Sequence, residues 1–108
     1  NIAVVDDEEV IRQQICGFIK KQRPGFSVSE FATGEGLLAA ETNDIIFLDI
    51  QMEGMGGIEA ARHLRQRGGD AVLVFITGIK DHVFEAFLMK AVVMRITTLS
   101  EGIVWVSL

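Results

Sequence analysis

Apolar and polar positions switch between two regimes along the chain. Residues 2–6, IAVVD, are a short apolar run with β-branched members, which predicts a buried strand. Residues 8–20 place Ile11, Ile15, Phe18 and Ile19 on one stripe of a helix. RPG at 23–25 breaks the chain, and FSVSEF (26–31) alternates as a strand does. GEGLLAAE (34–41) predicts a short helix and DIIFLD (44–49) the next strand. A GMGG turn leads into IEAARHLRQR (58–67), with Ile58, Ala61 and Leu64 on one side. After GGD, AVLVFIT (71–77) is again strand-like. DHVFEAFLMK (81–90) has helical spacing at Val83, Phe84 and Phe87, and AVVMRI (91–96) is a fifth strand.

Five β segments, with helices after the first four, predict an α/β fold with a parallel sheet. The apolar runs lack polar alternation, as expected of strands covered on both faces. The alternation fails only at the end. SEGIVWVSL (100–108) stands where a closing amphipathic helix belongs, and it is β-branched and apolar. This tail is expected to pack on its own sheet or on a second copy, so that a homodimer forms through the fourth helix, fifth strand and tail.

Composition narrows the function. The chain of 108 residues fits one domain, and 49% hydrophobic content excludes a disordered segment. A net charge of −5 argues against direct nucleic-acid or anionic-membrane binding, which needs a basic face. No apolar run reaches the roughly 18 residues of a membrane span. The single cysteine, Cys16, allows no internal disulfide and suits a reducing, cytoplasmic setting. It lies beside the apolar stripe of the first helix and is expected to pack. The first strand starts at residue 2 with no signal peptide ahead of it, and the ends read as trimmed.

The chemistry is carried by acids. IIFLDIQM (45–52) runs four apolar residues into Asp49, and a charge inside an apolar core is costly. In an open parallel sheet the carboxyl ends of the strands share one edge, where ligands collect. The first strand ends there at Asp6-Asp7 and the third at Asp49, so Asp49 is expected at the strand mouth. Carboxylates gathered together repel one another unless a cation joins them, and Mg2+ needs only one or two of them plus waters and a phosphoryl oxygen. The other reading of Asp6 and Asp7 is that they cap the following helix. Thr77, before Gly78 at the end of a further strand, offers a hydroxyl at the same edge.

Together, VVDDEEV, FLDIQMEGMGGIEAAR and VFITG resemble the receiver domain of bacterial two-component response regulators. The DIQM…GIEAAR wording is most similar to receivers of LytTR-type transcription regulators. The resemblance covers about residues 2–91 of a single receiver-like domain. It implies a flavodoxin-like, doubly wound five-stranded sheet of order 2-1-3-4-5. It further implies phosphorylation of Asp49 by a partner histidine kinase, and regulation of an output domain or protein partner. Mg2+ would be held by Asp7, Asp49 and the backbone carbonyl of Gln51, with Asp6 acting through water, and Thr77 would be the switch hydroxyl.

Residues 92–108 depart from this pattern. An ungapped alignment puts Met94 at the family's fifth-strand aromatic, Thr97 at its lysine and Thr98 at its proline. Arg95 shares a face with Thr97 but lies about 6–7 Å back along the strand, too far to replace the lysine. An alternative reading is therefore a pseudo-receiver that acts as a phosphorylation-independent interaction module. A Mg2+-dependent phosphohydrolase fits less well, because Gln51 stands where such enzymes carry a general acid, and there is no room for a substrate cap. His63 and His82 show no ligand spacing and are expected on the surface. Met52 and Met55 are expected to pack the acidic loop, and Glu8 and Glu9 to form a solvated first helical turn. Gly54, Gly56 and Gly57 do not form a phosphate cradle. Glu53, where receivers usually have proline, counts as a minor change.

Overall fold

The computed structural model describes residues 1–40, 43–77, 92–98 and 102–106, with Thr77 and the last two stretches described as backbone. The elements run β1 (Ile2–Val5), α1 (Glu9–Gln22), β2 (Val28–Phe31), α2 (Gly34–Ala39), β3 (Ile45–Asp49), α3 (Gly57–Gln66), β4 (Val72–Thr77), β5 (Val92–Thr98) and β6 (Gly102–Val106). They form one sheet of order β2-β1-β3-β4-β5-β6. All neighbours through β5 are parallel, in the expected order 2-1-3-4-5, and β6 pairs antiparallel with β5. The helix expected at 81–90, with His82, lies outside the described residues, as does Gly78.

The central strands are buried over most of their length, with Val72 at the start of β4 exposed, and their period of two divides them between two cores. Ala3, Val5, Ile46, Leu48, Leu73 and Phe75 face α2 and α3, meeting Leu37, Ala60 and Ala61. Ile2, Val4, Phe47, Val74 and Ile76 face α1, meeting Ile15, Cys16 and Ile19. Helices on both faces make the sheet doubly wound. Ile15 is fully buried, and burying such a side chain stabilises the fold by about 1.5–3 kcal/mol. Cys16 packs in this core as the stripe implied, and burial pushes its thiol pKa up.

α1 ends where Pro24 removes a backbone donor, and the Arg23 N–H closes the last turn on the Ile19 carbonyl at 2.8 Å. α2 starts at Thr33, whose Oγ1 accepts the Gly36 N–H at 3.0 Å. β2, at one edge, is only half-buried, and Glu30 on it faces solvent.

The sixth strand is an addition to the five-stranded sheet that the resemblance implies. Residues 102–106 extend the sheet instead of continuing as a helix, as expected for β-branched Ile103, Val104 and Val106. The β5–β6 ladder steps from Ile96–Ile103 to Thr98–Gly102 across an irregularity at Thr97, the residue aligned with the family lysine.

Candidate phosphoacceptor and metal site

β1 and β3 are adjacent and parallel, in register from Ile2–Ile45 to Val5–Leu48. Their carboxyl ends therefore deliver Asp6, Asp7 and Asp49 to one place. A carboxylate oxygen from each lies within 4.8 Å of the others.

The three acids sit at different depths. Asp6 is 2% exposed, and its N–H still pairs in the sheet, with the Phe31 carbonyl at 3.1 Å. Its Oδ1 accepts the Glu8 N–H at 2.9 Å, ahead of α1. That bond closes a turn ahead of α1, whose N-cap Glu8 has no side-chain capping bond, so the capping reading of Asp6 and Asp7 is not met. Asp7 is exposed, and its Oδ2 accepts the Glu53 N–H at 3.2 Å from the β3–α3 loop. Asp49 is half-buried at the strand mouth, with Oδ1 accepting the Gln51 N–H at 3.1 Å. Thr77 closes β4 one step beyond Ile76, the partner of Asp49, so its backbone stands at the same edge.

Burial and like charge set the electrostatics. Burial, then the Asp6 charge, raise the Asp49 carboxyl from 3.8 to about 7, against the opposing hydrogen bond from the Gln51 amide. Asp6 is also raised, chiefly by burial, and the Glu8 amide only partly offsets this. Among the described residues, the groups that chiefly act on these two carboxyls are one another, Asp7, Glu8 and two backbone amides, with no cation among them. Such a set of oxygen donors fits a hard divalent ion, which would supply the missing positive charge.

The loop after Asp49 is fixed by close packing. Gly57 donates its N–H to the Ile50 carbonyl at 3.0 Å, and Gly54 turns the loop with φ +72°. Met52 and Met55 pack against the α2/α3 core, as expected, and His63 is exposed. Two contributors escaped the sequence reading. Gly57 matters as the point where α3 touches the Asp49 backbone. Glu53 is more than a minor change, since its N–H holds Asp7 and proline has none to give. Nothing in their residue types marks these backbone contacts. Among the described residues, no helix is long and apolar enough to cross a membrane.

The flavodoxin-like doubly wound sheet, with acids at the mouths of β1 and β3, is the architecture of the receiver class of α/β domain. The chain belongs to the response regulator receiver domain family, whose model matches residues 2–97, six residues past the limit drawn from the motifs. It is 31% identical over 97 residues to the positive alginate biosynthesis regulatory protein of Pseudomonas aeruginosa, covering 85% of this chain and 39% of that protein. Among solved structures it is similar to response regulator TrrA of Thermotoga maritima in complex with Mg2+-BeF. The TM-score is 0.76 at 25% identity, covering 90% of this chain and 84% of the other. A LuxR-family two-component response regulator from Aurantimonas aligns with TM-score 0.72 at 35% identity, covering 85% and 69%. The chain spans less than half the length of the curated relatives it matches.

Proposed function

We propose that this chain is a phosphoacceptor signalling domain in which Asp49 takes a phosphoryl group from a partner histidine kinase. The observation carrying this reading is the half-buried Asp49 carboxylate at the strand mouth, close to Asp6 and Asp7. An ionised Asp49 oxygen attacks phosphorus in line; the O–P bond forms as the donor's P–N bond breaks, and the imidazole leaves. Asp49 attacks only when ionised, so a pKa near 7 leaves much of it unreactive at neutral pH. Mg2+, when bound, would neutralise phosphoryl oxygens and favour the ionised carboxylate. Asp7, Asp49 and the Gln51 carbonyl would hold it, with Asp6 acting through water. The TrrA complex with Mg2+-BeF supports this choice of ion. Thr77 would then hydrogen-bond the new phosphoryl group as the switch.

In this reading residues 1–108 form one cytoplasmic domain that regulates an output domain or protein partner, of the LytTR type by the wording around Asp49. A second copy docked at the β5–β6 end of the sheet is a further partner, and a monomer by light scattering at high concentration would remove it. The test of the main reading is intact mass after incubation with a small phosphodonor and Mg2+. One phosphoryl mass is expected on the chain and none on Asp49→Asn; equal mass gain in both would sink the assignment.

Thr97 and Met94 support a second reading, a pseudo-receiver that binds its partner whether or not it is phosphorylated. Partner affinity unchanged by phosphorylation would favour it.

A further inference from the structure

Arg12 is the side chain that ties the acidic loop to the rest of the fold. It lies in the first turns of α1, with its N–H bonded to the Glu8 carbonyl at 3.0 Å. Its Nη1 donates to the backbone carbonyl of Asp6 at 2.9 Å. Its Nε donates to Glu30 Oε1 on β2 at 3.1 Å, with the arginine side chain only 16% exposed. Three elements meet at one guanidinium: α1, the end of β1 and the edge strand β2.

The Asp6 carbonyl belongs to the peptide plane that joins Asp6 to Asp7. That plane is rigid, so holding its oxygen restrains ψ of Asp6 and φ of Asp7 together, the two dihedrals that set how the neighbouring carboxylates sit relative to each other. Asp6 is held by the Glu8 amide and Asp7 by the Glu53 amide, and among the described residues Arg12 is the one that bonds the peptide between them. Lysine could not do the same, because the planar fork reaches a carbonyl and a carboxylate at once. Its guanidinium bonds a backbone carbonyl and Glu30, so its hold on Asp6 and Asp7 runs through the backbone.

We propose that Arg12, clamped by Glu30, is a positioning residue that orients the Asp6–Asp7 peptide and thereby sets the divalent-cation affinity of the site. The proposal rests on the metal-site reading above. Residues behind metal ligands typically change affinity by 10- to 100-fold when replaced, whereas a part-exposed ion pair contributes little to stability.

The test is a calorimetric Mg2+ titration of the chain, Arg12→Gln and Glu30→Gln, with amide exchange followed by NMR. Arg12→Gln is expected to weaken Mg2+ binding by about tenfold, and Glu30→Gln by less. The Glu53 amide is expected to exchange faster in both, because its partner is Asp7 Oδ2, which the Asp6–Asp7 peptide orients. A general loosening of α1 would leave that amide unchanged. If wild type binds Mg2+ and a folded Arg12→Gln binds it within twofold, the positioning role is wrong and the metal site stands. If wild type binds no Mg2+, both readings fall. Should Arg12→Gln not fold, Glu30→Gln decides, and unchanged affinity with unchanged Glu53 exchange overturns the proposal.

Discussion

Gly57, at the start of α3, lies directly against the backbone of Asp49. A Cβ on Gly57 would overlap the Asp49 carbonyl oxygen and come within 2.8 Å of its carbonyl carbon and 2.9 Å of the Ile50 Cα. All three obstacles are backbone, so none can swing away. The helix that covers one core is thus seated on the residue proposed to accept the phosphoryl group.

Gly57→Ala is expected to destabilise the chain by about 1–3 kcal/mol, the usual cost of overpacking. Gly17, inside α1, is the control, because a Cβ there meets nothing within 4 Å. Gly17→Ala is expected to stabilise by about 0.5–1 kcal/mol. Urea unfolding of both variants checks the pair, and equal shifts would contradict the packing account.

Stability without metal should fall as pH rises. The Asp49 carboxyl is raised in the folded state, from 3.8 to about 7. Below 3.8 it is protonated in both folded and unfolded chains and costs nothing. Between 3.8 and about 7 the unfolded chain releases its proton first, so each step up in pH favours unfolding. Above that window the full cost is present. The urea midpoint in chelator should drop across this range in wild type relative to Asp49→Asn. Parallel profiles for the two chains would refute the shift.

Mg2+ should reverse that loss. An ion that binds only the folded chain stabilises it by about 2.7 kcal/mol at a hundred times its dissociation constant. Millimolar Mg2+ is expected to raise the melting temperature of wild type, and Asp7→Ala to remove most of the rise. Thermal melts with and without Mg2+ measure this, and no response in wild type would count against the metal site.

Ending the chain at Thr98 removes β6 and leaves β5 without its outer neighbour. The shortened chain is expected to lose about 1–3 kcal/mol of stability, with a smaller denaturant slope because less surface is buried. An unchanged midpoint would mean that β6 contributes nothing to the sheet.

Much of this molecule is local information. β-branched runs and helical stripes are set by side-chain shape and spacing, so β1 to β4 and α1 to α3 were legible in the chain, as was the meeting of Asp6, Asp7 and Asp49. That meeting follows from strand order alone, because parallel neighbours end at the same edge. The tail was legible as a strand-former, since Ile103, Val104 and Val106 disfavour a helix.

Other features belong to the tertiary structure. IIFL reads the same on both faces, and only the packed helices assign Ile46 and Leu48 to one core and Phe47 to the other. Asp6 and Asp7 are the same residue type side by side, yet one is buried and the other exposed, because Asp6 still pairs with β2 while Asp7 has left the sheet. The clamp of Arg12 on the Asp6 carbonyl and the amide of Glu53 on Asp7 join positions 6 and 46 residues apart through backbone atoms. Every residue but proline carries the same backbone atoms, so residue identity cannot announce such contacts; only the fold decides which carbonyl meets which donor.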